Sequence, residues 1–231
     1  MVTWFSSRRE PRQVFGDKGT GKVIIWDLVN DKQIKTFQVA EPSELQQVYI
    51  SPDGERLATV NVDTSVHIWD VAAGQKLLTL PRPATDSSLW FSADGKWLAI
   101  ADCNGTVVVR DLASGEEKLR FSGTSACIQA VGFSPNGKLF AVNAGDRGLK
   151  ILDFENGQEL LTLPGGFDVE FTPDGTRVIV ATWDEAGRHV VRMFLLKLEE
   201  IVALAKSRVT RSLTTEECQK YLHVEECPAE P

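Results

Sequence analysis

The sequence predicts an all-β fold made of a repeated unit of four short strands, and two recurring phrases that share one period carry this prediction. The first phrase is a turn of the type Ser-Pro-Asp-Gly, and the second is an apolar strand that ends in aspartate. The glycines of the first phrase are Gly54, Gly95, Gly137 and Gly175, and the aspartates of the second are Asp27, Asp70, Asp111 and Asp153. Both phrases recur every 38 to 43 residues, a period typical of proteins that repeat one supersecondary unit.

Each unit is predicted to contain strands because short apolar runs alternate with polar turns. Proline presets the backbone of the first turn, and glycine closes it with a positive φ. In the second unit the predicted strands are 45–51, 56–60, 66–69 and 76–80, joined by polar turns at 61–65 and 70–74. The inner strands of the five units are expected near residues 2–6, 45–51, 87–92, 127–134 and 167–172. The fifth unit ends at Leu195, and we expect no outer strand after it.

Composition excludes several classes of protein. The 231 residues include 42% hydrophobic and 25% charged residues, as in ordinary globular domains, so wholesale disorder is excluded. The net charge of −7 argues against a duplex nucleic-acid binder, which would carry a basic stripe. No apolar run is long enough to cross a membrane, and residues 1–9 lack the order of a secretory signal. We therefore expect a cytoplasmic protein that binds neither nucleic acid nor membrane.

The recurring aspartate phrase resembles that of the WD40-repeat family. Trp-Asp stands intact at 26–27 and 69–70, while 110–111 and 152–153 keep the aspartate alone. The resemblance covers residues 2–195 and implies a WD-repeat β-propeller of about five four-stranded blades. Because family members usually close a ring with seven or more blades, three arrangements stay open. The chain is the C-terminal portion of a larger propeller, a closed five-blade ring, or an incomplete ring that another chain completes.

One family feature is missing from these units. The family usually has a Gly-His pair before the inner strand, and its histidine links a turn aspartate to the Trp of the third strand. No histidine lies there in this sequence, and Asp63 is the one turn aspartate that looks preserved, since Asn104 and Arg147 stand at comparable places. We therefore expect the blades to depend on apolar packing rather than on that polar network.

The chain is expected to change character after residue 195, which divides it into blades at 1–195 and a short two-helix tail at 196–231. Leu198, Ile201, Val202 and Ala205 follow the spacing of one helix face, and residues 214–217 form a capping box for a second helix. Residues 198–228 resemble the segment that ends bacterial WD-repeat proteins carrying NACHT-type nucleotide-binding modules. Residues 16–22 do not have the phosphate-loop spacing, so no ATPase activity follows from the resemblance.

The sequence offers no catalytic or metal-binding set. Cys218, His223 and Cys227 provide three ligands, whereas a closed zinc site needs four, so these cysteines are expected free or disulfide-bonded. Cys103 and Cys127 fall on predicted strands and are expected to be buried thiols. We expect no enzyme activity, no cofactor and no metal.

Binding is the expected function. In the propeller family, the loops that precede the inner strands and those between second and third strands gather at one end, where partners usually dock. The candidate partner-binding residues on or near these loops are Asn61, Asp63, Asp102, Asn104, Arg147 and Trp183. The leading hypothesis is a non-catalytic scaffold for protein or peptide partners, with self-association through open blade faces. The alternative is a C-terminal sensor or regulatory part of a bacterial signal-transduction ATPase, which completes a larger propeller in another chain.

Overall fold

The computed structural model describes residues 2–5, 12–42, 44–63, 65–81, 88–122, 127–128, 130–144 and 148–196. The chain divides into two compact units, 1–194 and 195–231, and the fold described below is that of the first. The predicted helical tail lies outside the described residues from position 197 onward, and it stays a prediction.

In the described part of the chain, nineteen strands form five antiparallel sheets that follow one another in sequence. The first two sheets contain β1 (Val2–Phe5), β2 (Arg12–Asp17), β3 (Lys22–Asp27) and β4 (Lys32–Gln38), then β5 (Leu45–Ile50), β6 (Arg56–Asn61), β7 (Ser65–Asp70) and β8 (Gln75–Pro81). The next two contain β9 (Ser88–Phe91), β10 (Trp97–Ala101), β11 (Thr106–Asp111) and β12 (Glu117–Ser122), then β13 (Val131–Phe133), β14 (Leu139–Asn143), β15 (Leu149–Asp153) and β16 (Glu159–Leu163). The fifth contains β17 (Asp168–Phe171), β18 (Arg177–Trp183) and β19 (His189–Leu195).

The predicted strand pattern is confirmed. The inner strands β1, β5, β9, β13 and β17 lie where the sequence places them, and four sheets have four strands. The fifth sheet has three strands among the described residues, and the absence of an outer strand after Leu195 stays a prediction. Simple hairpins connect neighbouring strands within each sheet, because consecutive strands pair in order.

The Ser-Pro-Asp-Gly phrase forms a hydrogen-bonded corner between the first and second strands of a sheet. In the fourth sheet the buried Ser134 hydroxyl accepts the Leu139 N–H at 2.8 Å and donates to Asn136 at 2.8 Å. The Asn136 side chain also accepts the Lys138 N–H at 3.0 Å. The same bonds recur around Ser51, Ser92 and Thr172. The phrase therefore recurs because it builds this corner.

Ser134→Ala tests the corner. We expect the free energy of unfolding to fall by about 2 kcal/mol, because the half-buried Leu139 N–H loses its hydroxyl acceptor. Chemical denaturation monitored by tryptophan fluorescence measures the change. Ser122→Ala, at an exposed position at the end of β12, is the control and should change stability by less than about 0.5 kcal/mol. Equal effects at both positions would contradict the structural role of the corner.

Asp174 shows the electrostatic side of the same corner. Its pKa is lowered to about 2, first by the Thr172 hydroxyl and then by the Thr176 N–H and hydroxyl. Since the pKa is lower in the folded state, ionised Asp174 stabilises the fold above the unfolded pKa of about 3.9, and this contribution is lost as the pH falls through about 2. Thr172→Val should raise the pKa of Asp174, as measured by NMR titration of the carboxyl carbon. A pKa that stays near 2 in the variant would show that the hydroxyl is not the main cause.

The turn between third and fourth strands is equally regular. In all four complete sheets, the third strand has a β-bulge between its third-last and second-last residues. Glycine with positive φ closes this turn at positions 74, 115 and 157. In the first sheet Asp31 holds the corresponding position with a φ of 48°, the one non-glycine residue with positive φ in the described part of the chain. Asp tolerates this conformation better than most residues do, so the turn survives the substitution.

Apolar side chains between neighbouring sheets form the core. Val23 and Ile25 of the first sheet pack with Leu45 and Leu57 of the second. The second and third sheets share a further cluster, and the third and fourth share another centred on Phe140. The inner strand of the fifth sheet, β17, contacts β13 of the fourth. The sheets are therefore packed face to face in chain order, the arrangement expected of propeller blades.

Part of the polar network that we expected to be absent is present in the second sheet. Trp69 Nε1 donates to Thr59 Oγ1 at 3.1 Å, and Thr59 is fully buried. The Trp of the third strand is therefore hydrogen-bonded within its sheet although no histidine precedes the inner strand. In this sheet the bond accompanies the expected apolar packing, because Thr59 faces the indole across the β6–β7 pair.

Candidate partner-binding edge

The turns between the second and third strands of the sheets provide the candidate binding surface, which we call the hairpin edge. These turns join β2 to β3, β6 to β7, β10 to β11, β14 to β15 and β18 to β19. Since the sheets pack in chain order with the same strand order, we infer that these hairpins lie at one end of the stacked sheets. Arg147, predicted here, lies outside the described residues.

A carboxylate organises four of these hairpins. Asp17 accepts the Gly19 N–H at 2.9 Å, and Asp63 accepts the Ser65 N–H at 3.0 Å. Asp102 accepts two backbone N–H groups at 2.9 Å each, and so does Asp184. The sequence reasoning recognised Asp63 alone as a turn aspartate. It missed the other three, although Asp184 lies as far after its corner glycine Gly175 as Asp63 does after Gly54.

Hydrogen bonding lowers the pKa of three of the four hairpin carboxylates. The Thr20 hydroxyl is the main cause of the lowered pKa of Asp17, and the Ser65 hydroxyl lowers the pKa of Asp63. The Arg188 backbone N–H lowers the pKa of Asp184 most. These carboxylates therefore remain charged acceptors at neutral pH, and their first role is to hold the hairpins in shape.

Asn61 belongs to a polar cluster inside the second sheet. It is 3% exposed, and its amide donates to His67 Nδ1 at 3.1 Å. His67 Nε2 lies 3.0 Å from the Ser65 hydroxyl, which itself donates to Asp63 at 2.5 Å. This order of donors places the histidine proton on Nε2. Burial lowers the pKa of His67, so the ring is neutral and serves as a link in the hairpin.

The third sheet places its two candidate residues differently. Asp102 is 3% exposed and is engaged by its own hairpin, whereas the Asn104 side chain is exposed. Direct partner contact is therefore open to Asn104 and closed to Asp102 in this conformation. Partner binding by either residue stays a prediction.

Trp183 begins the hairpin of the fifth sheet and is 49% exposed. Its ring packs on Phe167 at 4.5 Å between centroids and meets His189 edge-on at 5.7 Å. Val62 and Cys103 are also exposed. Val62 directly follows the buried Asn61, and Cys103 directly follows the buried Asp102. The sequence analysis missed Val62, although an apolar residue inside a polar turn was the available signal.

The interpretation of Cys103 and Cys127 as buried thiols on strands was wrong. Cys103 is exposed in the β10–β11 hairpin, and Cys127 is half-buried in the segment before β13. The two form a disulfide that spans 24 residues. The Ile128 N–H donates to the Asp102 carbonyl at 3.1 Å, close to the same bridge. The disulfide therefore ties the hairpin of the third sheet to the entry of the fourth.

The described residues contain no group of three or more His, Cys, Asp or Glu side chains able to hold a metal ion. The described segments also include no helix with the length and apolar character needed to cross a bilayer. The Ser65–His67 pair is not arranged as a nucleophile and base, because the serine hydroxyl donates to Asp63. Cys218, His223 and Cys227 lie outside the described residues.

Comparison with protein families finds the WD40 model (WD domain, G-beta repeat) at residues 31–70 and 115–153. Both segments match the WD40 repeat. Each match begins at the end of a third-to-fourth-strand turn and includes the outer strand of one sheet and three strands of the next. The WD40 repeat is thus offset by one strand from the sheet, so each repeat covalently connects two neighbouring sheets.

Two curated relatives share part of the sequence. Protein groucho of Drosophila melanogaster is 37% identical over 57 residues, which cover 25% of this chain and 8% of groucho. The small ribosomal subunit protein RACK1 of Caenorhabditis elegans is 33% identical over 81 residues, which cover 35% of this chain and 24% of RACK1. The chain therefore spans about a quarter or less of the length of either relative.

Proposed function

We propose that this protein is a non-catalytic scaffold that docks protein or peptide partners at the hairpin edge. The observation that carries the proposal is the series of packed WD40-type sheets whose hairpins are held rigid by buried and half-buried polar groups. A rigid edge lowers the entropy that is lost on binding.

We propose the cytoplasm as the location of the protein.

The exposed side chains of the edge support this proposal. Val62 is 50% exposed and Trp183 is 49% exposed, so two apolar groups stand among charged hairpins. Tryptophan is a frequent contributor to binding energy at protein interfaces. Neither protein relative is described as an enzyme in its name, and the RACK1 name places that relative in the small ribosomal subunit.

A pair of double variants tests the proposal. Val62→Glu combined with Asn104→Arg changes two exposed hairpin positions. Ala93→Glu combined with Ala113→Arg introduces the same charges at exposed turns of the third sheet that join other strand pairs. Partners captured by the tagged wild-type chain are quantified by mass spectrometry for all three proteins.

We expect the hairpin variant to lose the specific partners at least tenfold and the control variant to keep them. Circular dichroism and thermal melting establish that both variants are folded. Retention of every partner by the hairpin variant would show that binding takes place elsewhere. If the wild-type chain captured no specific protein at all, the scaffold function itself would be wrong.

A second candidate is the sensor or regulatory part of a bacterial signal-transduction ATPase. The resemblance of residues 198–228 to the ends of such proteins supports it. We expect a nucleotide-binding protein encoded by a neighbouring reading frame to co-purify with the full chain, and deletion of residues 197–231 to abolish the complex. Co-expression without complex formation would contradict this candidate.

A further inference from the structure

The fifth sheet exposes an apolar surface on its side away from the fourth sheet. We call it the terminal face, and it consists of Ile179, Ala181, Trp183, His189, Val191 and Met193, with the exposed Arg177 at its border, where the guanidinium lies 3.5 Å from the Met193 sulfur. The buried Val178 and Val180 point to the other side, and the Asp184 N–H to Arg188 carbonyl bond fixes the hairpin register. Val191 is 70% exposed and Met193 is 53% exposed. Contiguous apolar surface of this kind is typical of interaction sites.

The register of the repeat shows what normally lies on such a face. Residues 191 and 193 correspond to Val66 and Ile68 of the second sheet, which pack against Leu98 and Ile100 of the third and are completely buried. The pairs Val107 and Val109, and Leu149 and Ile151, are buried at the same positions of the next two sheets. In each of the first four sheets, the corresponding face packs against the sheet that follows. The apolar side chains of the terminal face therefore suit packing against another sheet of the same kind.

The first sheet carries the complementary surface. Val14 packs towards the second sheet, and a Cβ on Gly16 would lie 3.0 Å from Leu45 of that sheet. By alternation, Phe15 and its neighbours Ile24 and Trp26 face the opposite way. Trp69 is the residue of the second sheet that corresponds to Trp26. Its ring packs on Phe37 of the preceding sheet, at 6.2 Å between centroids. The first sheet therefore has, on its outward face, the kind of residues with which a sheet of this chain packs against the preceding sheet.

We propose that the terminal face packs on the outward face of the first sheet of a second copy of this chain. The described residues of each copy carry one surface of each kind, so a single head-to-tail contact would pair them. Such heterologous contacts form closed rings when the rotation closes. Two copies joined in this way continue the series of sheets across the contact, with no change in how sheets pack. Trp183 belongs both to the terminal face and to the hairpin edge, and the other residues of the terminal face are not used in the proposal of partner binding at that edge.

Three single variants of the full chain test the contact by light scattering after size exclusion. Val191→Lys places a charge on the terminal face, and Thr36→Arg places one beside Ile24 on the outward face of the first sheet. Both positions are exposed, so the charges do not enter the core. Arg192→Glu is the control, since residue 192 is exposed on the same strand but points away from the terminal face.

We expect the wild type and the control to have at least twice the 25.5 kDa mass of one chain, and the other two variants to have the mass of one chain. An equimolar mixture of Val191→Lys and Thr36→Arg should recover a complex of two chains, because one intact pair of faces remains. A wild type with the mass of one chain at every concentration would overturn the proposal. Assembly that persists in Val191→Lys, or a mixture that does not recover, would overturn it too.

Discussion

Phe140→Ala is expected to lower the free energy of unfolding by about 4 kcal/mol. Phe140 is completely buried in the cluster that joins the third and fourth sheets. Its ring lies 4.9 Å from Phe133 and 6.1 Å from Phe154, between centroids. Alanine would remove these contacts and leave a cavity between two sheets that cannot close without moving one of them. Urea denaturation measures the loss.

Two controls give this result its meaning. Phe140→Leu keeps most of the volume and should cost less than about 1.5 kcal/mol. Leu160→Ala removes an apolar side chain that is 54% exposed on the outer strand β16, and should cost less than about 0.5 kcal/mol. A small loss for Phe140→Ala would mean that the sheets do not depend on one another, and the propeller-like stacking would then be wrong.

The strands and their order could be predicted from the sequence because each signal is local and is repeated. The corner around Ser134 needs a hydroxyl, a carboxylate or amide two residues later and a glycine, and all lie within one short phrase. A strand pair follows from that corner without any knowledge of distant residues. Because the corner is repeated along the chain, its copies can be compared with one another in the way that homologous sequences are.

Contacts between sheets were harder to predict, because the residues involved are far apart in the chain. The bridge between Cys103 and Cys127 depends on how the third sheet meets the entry of the fourth, and strand periodicity carries no such information. The bond between Trp69 and Thr59 depends on cross-strand register. In both cases the residue types were visible, and their partners were not.

The candidate site shows the same division. The sequence located the hairpins that carry Asn61, Asp63 and Asp102, but the structure gives these side chains bonds that shape the hairpins. Polar residues of turns serve the backbone first, because unpaired N–H groups are costly. The residues left for a partner are those whose side chains point outward, such as Asn104 and Val62, and orientation of that kind cannot be derived from residue type.

Gly21→Ala is expected to be the most damaging glycine substitution in the hairpins, with a loss of about 3 kcal/mol. Gly21 has a φ of 69°, and an added Cβ would lie 2.1 Å from the carbonyl oxygen of Ala40. The surrounding backbone cannot yield easily, because the Gly21 carbonyl accepts the Val39 and Ala40 N–H groups at 3.0 and 3.2 Å. Alanine therefore combines an unfavourable φ with a clash against backbone.

Gly137→Ala separates these two causes. Gly137 has a φ of 68°, almost the same as Gly21, but a Cβ there would have no neighbour within 4 Å. Its substitution should cost only the conformational penalty of about 1 kcal/mol. Thermal and urea unfolding of both variants measure the difference, which isolates the clash at Ala40. If the two variants were equally stable, the segment at 39–40 would not be held against the β2–β3 hairpin, and the first sheet would have to pack on the second through its apolar cluster alone.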